Sequence, residues 1–286
     1  MPTTFFNRRA AVFVGLVVSI NASPGVAQSK GTCSMELQRQ GMEILEAGIA
    51  AFGGRSAILA AHTVELRVQV QVYTLGQGAN PAAGSSASND GNVNLRYILD
   101  LANDRHVYEQ FAADTATQPG ARLVLTPQDR FVSNPVQNIV QDIADLTPLR
   151  PLLRGIPYAP AILLDAAERA ASIRRLGNQT IDGTSYRIIT YADESGQQIA
   201  LYFDAGTGLL RRTEIVESHE QLGDHVVDIE YGNYKGVGPL YLPHTISVYT
   251  AGSPATVTEF VQVDLAAELS GALLEHPDSA NQLPAI

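Results

Sequence analysis

The histidines are the first residues to test for metal chemistry, because neutral imidazole is a common ligand of catalytic metals. The densest cluster runs from His219 to His225 and begins like the HExxH motif of zinc proteases. Gly223 stands where the second histidine is needed, and turn residues surround it, whereas HExxH needs a helix to place both histidines on one face. The other histidines are isolated in the sequence, and we predict no metal site.

The sequence also lacks the motifs of nucleophilic catalysis and of nucleotide binding. The chain has no GxSxG elbow and no P-loop, and Gly236-Val237-Gly238 sits among strands rather than opening a helix. The single cysteine, Cys33, has no catalytic signature around it. Asp228 and Glu230 lie two positions apart on one predicted strand, a coincidence to be expected among 29 acidic residues. We therefore predict no catalytic residue and no cofactor.

The elements that would position any site are mostly strands. From Thr184 to Leu265 six strand-like runs follow one another, separated by short Asp, Gly and Pro turns. Connections this short join only antiparallel neighbours. Upstream, Val64–Tyr73 and Val93–Leu101 alternate apolar and polar residues, and Arg105–Phe111 and Ala121–Thr126 read as shorter strands. The fold class is thus α+β and predominantly antiparallel β, a large curved meander sheet or unclosed half-barrel.

Helices are predicted on the concave face of this sheet. The run from Met35 to Phe52 has helical apolar spacing and is stopped by Gly53-Gly54, and Arg55–His62 reads as a second short helix. A helical insertion spans about 134–173, with Asn134-Pro135 as its cap and first turn. Two roles stay open for this insertion: it covers a cavity, or it closes an ordinary core.

Three further segments complete the domain plan. Residues 76–92 are rich in Gly, Ala, Ser and Asn and are expected to form a long mobile loop. Residues 28–265 are expected to form one β-rich domain, and 266–286 a polar C-terminal tail.

The N-terminus has the pattern of an export signal. Arg8 and Arg9 precede an apolar run from Ala10 to Ile20, and Gly25-Val26-Ala27 is a small-x-small cleavage pattern. The apolar run is too short to span a membrane. We expect residues 1–27 to be a signal peptide cleaved near Ala27, leaving a protein that is periplasmic or secreted and does not span the membrane.

The charge balance excludes several partners. The formal net charge is −10, and loss of Arg8 and Arg9 makes it more negative. An acidic surface repels phosphate backbones and anionic lipid headgroups, so no nucleic-acid partner is expected. A lone cysteine allows no internal disulfide, so packing holds the exported fold together.

Turn motifs in the C-terminal half resemble those of the LolA/LppX-like superfamily of exported bacterial proteins. They are Asp204-x-x-Thr207-Gly208 and the segment from Tyr231 through Tyr234 and Gly238 to Pro243. The resemblance implies an unclosed β-barrel with helices in its mouth and, in the lipoprotein-carrier branch, apolar ligands. The N-terminal half, with Ala51-Phe52-Gly53-Gly54, also resembles a module that precedes some exported metallo-β-lactamase-fold hydrolases. No catalytic domain of that kind follows here, and no hydrolase activity is carried over.

The first functional hypothesis is an exported binding protein for an apolar or lipid-like ligand, held between sheet and helices. Apolar strand positions would line the cavity, although ordinary core packing is the commoner role of each such residue taken singly. The candidate ligand-binding residues are Val68, Val70, Val72, Leu95, Tyr97, Leu99, Leu201 and Phe203.

Two alternatives belong to other classes. An enzyme, or an accessory subunit of a separately encoded hydrolase, would bring polar groups such as Tyr97, Arg96, His106 or Tyr202 together with an acid in one pocket. A structural protein of the cell envelope would bind a protein partner through exposed sheet edges.

Overall fold

The structure is a computed structural model, and it describes residues 30–74, 88–113, 116–145, 158–219, 223–277 and 281–285. The predicted signal peptide and most of the predicted 76–92 loop lie outside these residues. Three α-helices are described: α1 Lys30–Ala51, α2 Arg55–Ala60 and α3 Ala159–Glu168. Both N-terminal helices were predicted, and α3 coincides with the second half of the predicted insertion.

Fourteen of the sixteen described strands form one large sheet. Its strands are β1 Thr63–Thr74, β2 Ser88–Asp100, β3 Arg105–Phe111, β4 Ala121–Leu125, β5 Arg130–Asn134, β6 Ile139–Asp142, β7 Arg174–Ile181, β8 Thr184–Ala192, β9 Gln198–Asp204, β10 Leu210–His219, β11 Gly223–Gly232, β14 Thr245–Thr250, β15 Ser253–Asp264 and β16 Asn281–Leu283. The remaining two, β12 Lys235–Val237 and β13 Leu240–Leu242, form a separate hairpin.

The strand order is β16-β6-β5-β4-β3-β2-β1-β15-β14-β11-β10-β9-β8-β7. Every pair is antiparallel except β16 with β6. Two meanders, β1 to β6 and β7 to β15, are joined where β1 pairs with β15 over eight described partner positions from Glu65↔Asp264 to Val72↔Thr256. We call them the N-terminal arm and the C-terminal arm. Because β7 and β16 stand at opposite ends of the order, the sheet is open, as predicted.

The main core lies between the helices and one face of the sheet. It includes Leu45 and Ile49 of α1, Phe52 directly after that helix, Leu163 of α3, and inward residues of both arms. We call this the inner face. Burial of these apolar side chains is the main force holding the helices to the sheet, at about 1.5–3 kcal/mol for each large side chain.

Helix α1 approaches the C-terminal arm closely because glycine faces the sheet. A Cβ at Gly48 would lie 2.3 Å from Cε1 of Phe203, and one at Gly41 would lie 2.6 Å from Cγ2 of Ile173. Glycine is a poor helix former, so its use here indicates that packing outweighs helix propensity. The C-terminal end of α1 is further held by the Tyr241 amide, which donates to the Phe52 carbonyl at 3.0 Å.

The turn between β9 and β10 has the chemistry that the sequence predicted. The Asp204 carboxylate accepts hydrogen bonds from the amides of Gly206 and Thr207, both at 2.8 Å. Gly208 has φ +76°, a conformation that costs other residues roughly 1–2 kcal/mol. This turn places Leu209 and Leu210 in the core.

A second, smaller apolar cluster lies on the opposite face of the N-terminal arm, which we call the outer face. It consists of Ile98, Val107, Val124, Phe131 and Val140. Three leucines of the predicted tail pack on it, namely Leu269, Leu273 and Leu274. The tail then runs to β16, which adds a strand beside β6. The tail is therefore docked, where the sequence suggested little regular structure.

The prediction of a helix beginning at Asn134 was wrong. Residues 130–142 form the β5–β6 hairpin, in which the Asn134 side chain accepts from the Gln137 amide at 2.9 Å and Asn138 adopts φ +54°. The apolar residues whose spacing suggested a helix lie in different places. Val140 belongs to the outer cluster, Ile143 belongs to the inner core, and Val136 is 66% exposed at the turn. The strand is too short for its apolar spacing to be distinguished from that of a helix.

Two element boundaries also differ from the prediction. Residues 88–92, predicted as loop, belong to β2 and pair with β1. Residues 170–172 form a 3-10 turn after α3. Within the described part of the chain, no helix is long and apolar enough for a membrane crossing.

Candidate functional site

A cavity of about 470 Å³ lies between α3 and strands β8 to β11, with the β2–β3 turn reaching it from the other arm. Its apolar wall is continuous with the inner core. Helix α3 contributes Ala161 and Ile162, and the strands contribute Ile199, Ile215 and Ile229. Alternation along each strand places these isoleucines on the inner face, so the cavity is a part of that face that the helices leave uncovered.

The polar wall is organised around Asp165 of α3. Arg169, one helical turn later, donates from Nε to the Asp165 carboxylate at 2.9 Å. This hydrogen bond, with the attraction between the charges, raises the pKa of Arg169. Burial raises the pKa of Tyr191 far above its usual range, and the nearby Asp165 carboxylate, which interacts with its hydroxyl, adds to the shift. Tyr191 is therefore a neutral hydroxyl at any physiological pH.

Further hydroxyls lie deeper in the cavity wall. Tyr158, immediately before α3, is 1% exposed, and its hydroxyl has no hydrogen-bond partner among the described residues. Burial raises its pKa, so the group stays protonated. Thr213 pairs with the Tyr231 hydroxyl at 3.2 Å, and burial raises the pKa of Tyr231 to about 12. An unpaired buried hydroxyl costs about 1–3 kcal/mol, so a hydrogen-bond partner for Tyr158 from outside the described residues would be stabilising.

The rim of the cavity is acidic. At the β8–β9 turn, the Asp193 carboxylate accepts from the Ser195 amide at 2.8 Å and from the Gln197 amide at 3.0 Å. This turn presents Glu194 to solvent beside the cavity. Asp104 of the β2–β3 turn completes the rim, with a carboxylate that is 83% exposed and 3.1 Å from Nε2 of His106.

The predicted ligand-binding residues lie elsewhere on the inner face. Val68, Val70, Tyr97, Leu99, Leu201 and Phe203 are buried in the main core, and Val72 and Leu95 are half-buried against it. All eight therefore share one apolar core, yet the walls of the cavity are formed by other residues. A ligand-binding role for these eight stays a prediction.

The four polar residues proposed for an enzyme pocket do not converge. Tyr97 and His106 lie on the inner face, where Tyr97 packs edge-on against Tyr108. Arg96 lies on the outer face, paired with Glu65 at 2.6 Å and Glu109 at 3.2 Å.

Tyr202 also lies on the outer face. Its hydroxyl donates to Glu214 at 2.9 Å, while the neighbouring Leu201 and Phe203 are core residues. Adjacent residues on a strand point to opposite faces of the sheet. This alternation explains why two of the four residues lie on the inner face and two on the outer face.

The residues that sequence reasoning missed are those of α3 and its flanks: Tyr158, Asp165 and Arg169. The sequence did contain one signal for them: Asp165 and Arg169 are four positions apart, a spacing at which an acid and a base on a helix form a favourable pair. The sequence could not tell that this pair borders a cavity, since that depends on where α3 lies over the sheet.

For metal chemistry, the described residues contain no group of three or more potential ligands. The predicted context of the His219 cluster is confirmed, since β10 ends at His219 and β11 begins at Gly223. The side chains from His219 to Leu222 lie outside the described residues.

No protein-family model and no curated protein matches this chain. Solved structures do match. A domain named for outer membrane lipoprotein sorting, from Vibrio parahaemolyticus, is 12% identical, with a TM-score of 0.54 over 82% of this chain and 96% of that one. A DUF1329 family protein from Desulfovibrio piger is 10% identical, with a TM-score of 0.53 over 85% of this chain and 99% of that one.

A LolA superfamily protein from Nitrosomonas europaea also matches, at 12% identity, with a TM-score of 0.46 over 77% of this chain and 97% of that one. The first two matches, with TM-scores above 0.5, show that the chain has the fold of such a lipoprotein-sorting domain, which we call LolA-like. The resemblance carried by the Asp204 and Tyr231–Pro243 motifs is thus confirmed for the fold. The likeness of the N-terminal half to a hydrolase-associated module stays a prediction. In this LolA-like fold, the cavity lies between the open sheet and one of its covering helices.

Proposed function

We propose that the protein is an exported binding protein that holds an apolar or lipid-like ligand in the cavity beside α3. The observation that carries this proposal is the cavity beside α3, whose apolar wall consists of Ala161, Ile162, Ile199, Ile215 and Ile229. Its volume of about 470 Å³ falls in the range of about 300–1,000 Å³ typical of small-molecule sites. An apolar wall with a few polar groups at one side is the composition such sites have.

The expected affinity follows from burial. Each methylene moved from water into an apolar site contributes about 0.8 kcal/mol, so about ten methylenes give a gross gain of about 8 kcal/mol. The loss of translational and conformational freedom reduces this figure. At the low end of this cost, about 4 kcal/mol, a ligand with an alkyl chain of that length would bind with a dissociation constant of about 1 mM.

The fold likeness supports the same class of ligand. The Vibrio domain is named for the sorting of lipoproteins, proteins that bear a lipid. We extend a lipid-like ligand to this chain as part of the proposal. Export rests on the Arg8-Arg9 charge and the apolar run that follows it.

The test is binding of a neutral fluorescent probe, N-phenyl-1-naphthylamine, to the purified protein. The chain contains no tryptophan, so the probe signal has little protein background. Ala161→Phe places a ring in the cavity and is expected to reduce probe affinity at least ten-fold.

Ala171→Phe is the matched control, because Ala171 is exposed and lies outside the cavity wall. Native mass spectrometry of protein from its own host, followed by organic extraction, then identifies what co-purifies. Absence of saturable probe binding, or equal binding by both variants with their thermal stability intact, would count against the cavity as the site.

A further inference from the structure

The polar side of the cavity carries excess negative charge, and this bears on the ligand's head group. We propose that the ligand is an amphiphile with a cationic head group, such as an ammonium, rather than a carboxylate or phosphate. This inference rests on the proposed function, because it concerns the same cavity.

The charge count supports a cation. Among the described residues, the cavity is lined by Asp104, Asp165, Asp193 and Glu194 and by one basic residue, Arg169. The Arg169 charge already faces Asp165 at 2.9 Å. A ligand cation at the rim would therefore find more negative than positive charge within reach, and the acidic chain adds a field of the same sign.

The aromatic residues in the wall supply an independent second observation. Tyr158 and Tyr191 both line the cavity. Aromatic rings attract ammonium groups through their negative faces, an interaction that strengthens when water is excluded. Tyr158 also has a buried hydroxyl without a partner among the described residues, which shows that the wall is polar enough to hold a head group.

An anionic head group would be repelled by the negative charge at the cavity. A carboxylate or phosphate would enter next to Asp165 and Glu194, and Arg169, the one guanidinium in the described part of the wall, is already paired. Removing such an anion from water without a free counter-charge carries a large desolvation cost. Charge therefore discriminates between amphiphiles whose apolar chains are the same.

The experiment compares three amphiphiles with one chain: dodecyltrimethylammonium, dodecyl maltoside and dodecanoate. Each is titrated below its micelle concentration at pH 7 by calorimetry and by displacement of the neutral probe. We expect the ammonium compound to bind at least ten-fold more tightly than dodecanoate, with its advantage shrinking as salt is raised.

Variants at the rim assign the effect to named residues. Glu194→Gln and Asp104→Asn each remove one charge from an exposed turn and are expected to weaken ammonium binding about two- to five-fold, and to weaken dodecyl maltoside binding less. Glu168→Gln is the matched control, because Glu168 is exposed on α3 and outside the cavity wall.

The outcomes separate the two proposals. Dodecyltrimethylammonium binding no tighter than dodecanoate, or unaffected by both rim variants, overturns the cationic head group while the binding function stands. Failure of all three amphiphiles and of the neutral probe overturns both.

Discussion

Asp100 shows at the residue scale how this β protein secures its turns. Its carboxylate lies at the end of β2, where it is nearly buried, and accepts from Arg105 Nε at 2.8 Å and from the Asn103 side chain at 2.9 Å. Burial alone would raise the pKa of Asp100, but these hydrogen bonds outweigh it and lower the pKa. Glu65 behaves in the same way beside Arg96.

Lowered carboxylate pKa values predict acid sensitivity. A group whose pKa is lower in the folded state stabilises the fold fully above its unfolded pKa, near 4. That contribution is lost as pH falls through the folded pKa. We therefore expect the free energy of unfolding, measured by urea titration, to decline steadily below about pH 4.

Asp100→Asn tests this origin. At pH 7 we expect a loss of about 1–2 kcal/mol, because Arg105 loses a charged partner. Near pH 3 the loss should shrink, since the carboxylate of the unfolded wild-type chain is then mostly protonated and folding must release that proton. Glu168→Gln serves as the control and should leave the acid slope unchanged. A loss that is equal at pH 7 and pH 3 would contradict the pKa assignment.

At the scale of elements, alternation along the chain predicted most of the sheet. Strands β1 and β2 and the C-terminal meander were readable because inward and outward residues differ in polarity over many positions. Helix α1 was predictable for a similar reason, because its apolar and polar residues recur at helical spacing over many positions. The β5–β6 hairpin was not, because four residues of β6 are too few to distinguish the two periods.

The candidate site was less predictable than the sheet. The same alternation correctly placed Val68 and Leu201 on the inner face, but it carries no information about which part of that face a helix covers. Coverage depends on tertiary position, and α3 leaves Ile215 and Ile229 beside open space while α1 closes over Phe203.

The contact of α1 with the sheet gives an element-scale prediction. Gly48→Ala adds a methyl group that would lie 2.3 Å from the Phe203 ring, so the helix must shift. Overpacking of this kind costs about 1–3 kcal/mol, more than the gain of about 1 kcal/mol in helix propensity. We expect a lower free energy of unfolding in urea.

Phe203→Leu in the same chain provides the matched test. If the clash is the cause, Gly48→Ala should cost less in the Phe203→Leu background than in the wild type, a coupling that a double-mutant cycle measures. Additive effects would show that the methyl group is accommodated without contact with Phe203.

At the scale of the whole molecule, the C-terminal tail covers an apolar surface that the helices do not reach. Leu269, Leu273 and Leu274 pack on the outer cluster. His276 lies edge-on to Phe131 with ring centres 5.0 Å apart and contacts Asp142 at 3.0 Å. The tail thus acts as a third layer over the N-terminal arm.

Removal of this layer has a measurable consequence. Ending the chain at residue 265 should uncover the five outer-cluster side chains, lower stability by about 3–5 kcal/mol and promote self-association. Light scattering after gel filtration and thermal unfolding report both effects. Ending it at residue 277 keeps the leucines and removes β16, and this control should remain monodisperse to the same degree as the full chain.

The pairing of β1 with β15 also sets the order in which the molecule can form. Glu65 meets its partner Asp264 only after the residues between them have been synthesised, so one edge of β1 stays unpaired until then. Contacts between such distant residues slow folding, to about milliseconds to seconds in sheet proteins. We therefore expect the pairing of the two arms, rather than the formation of either arm, to limit the folding rate.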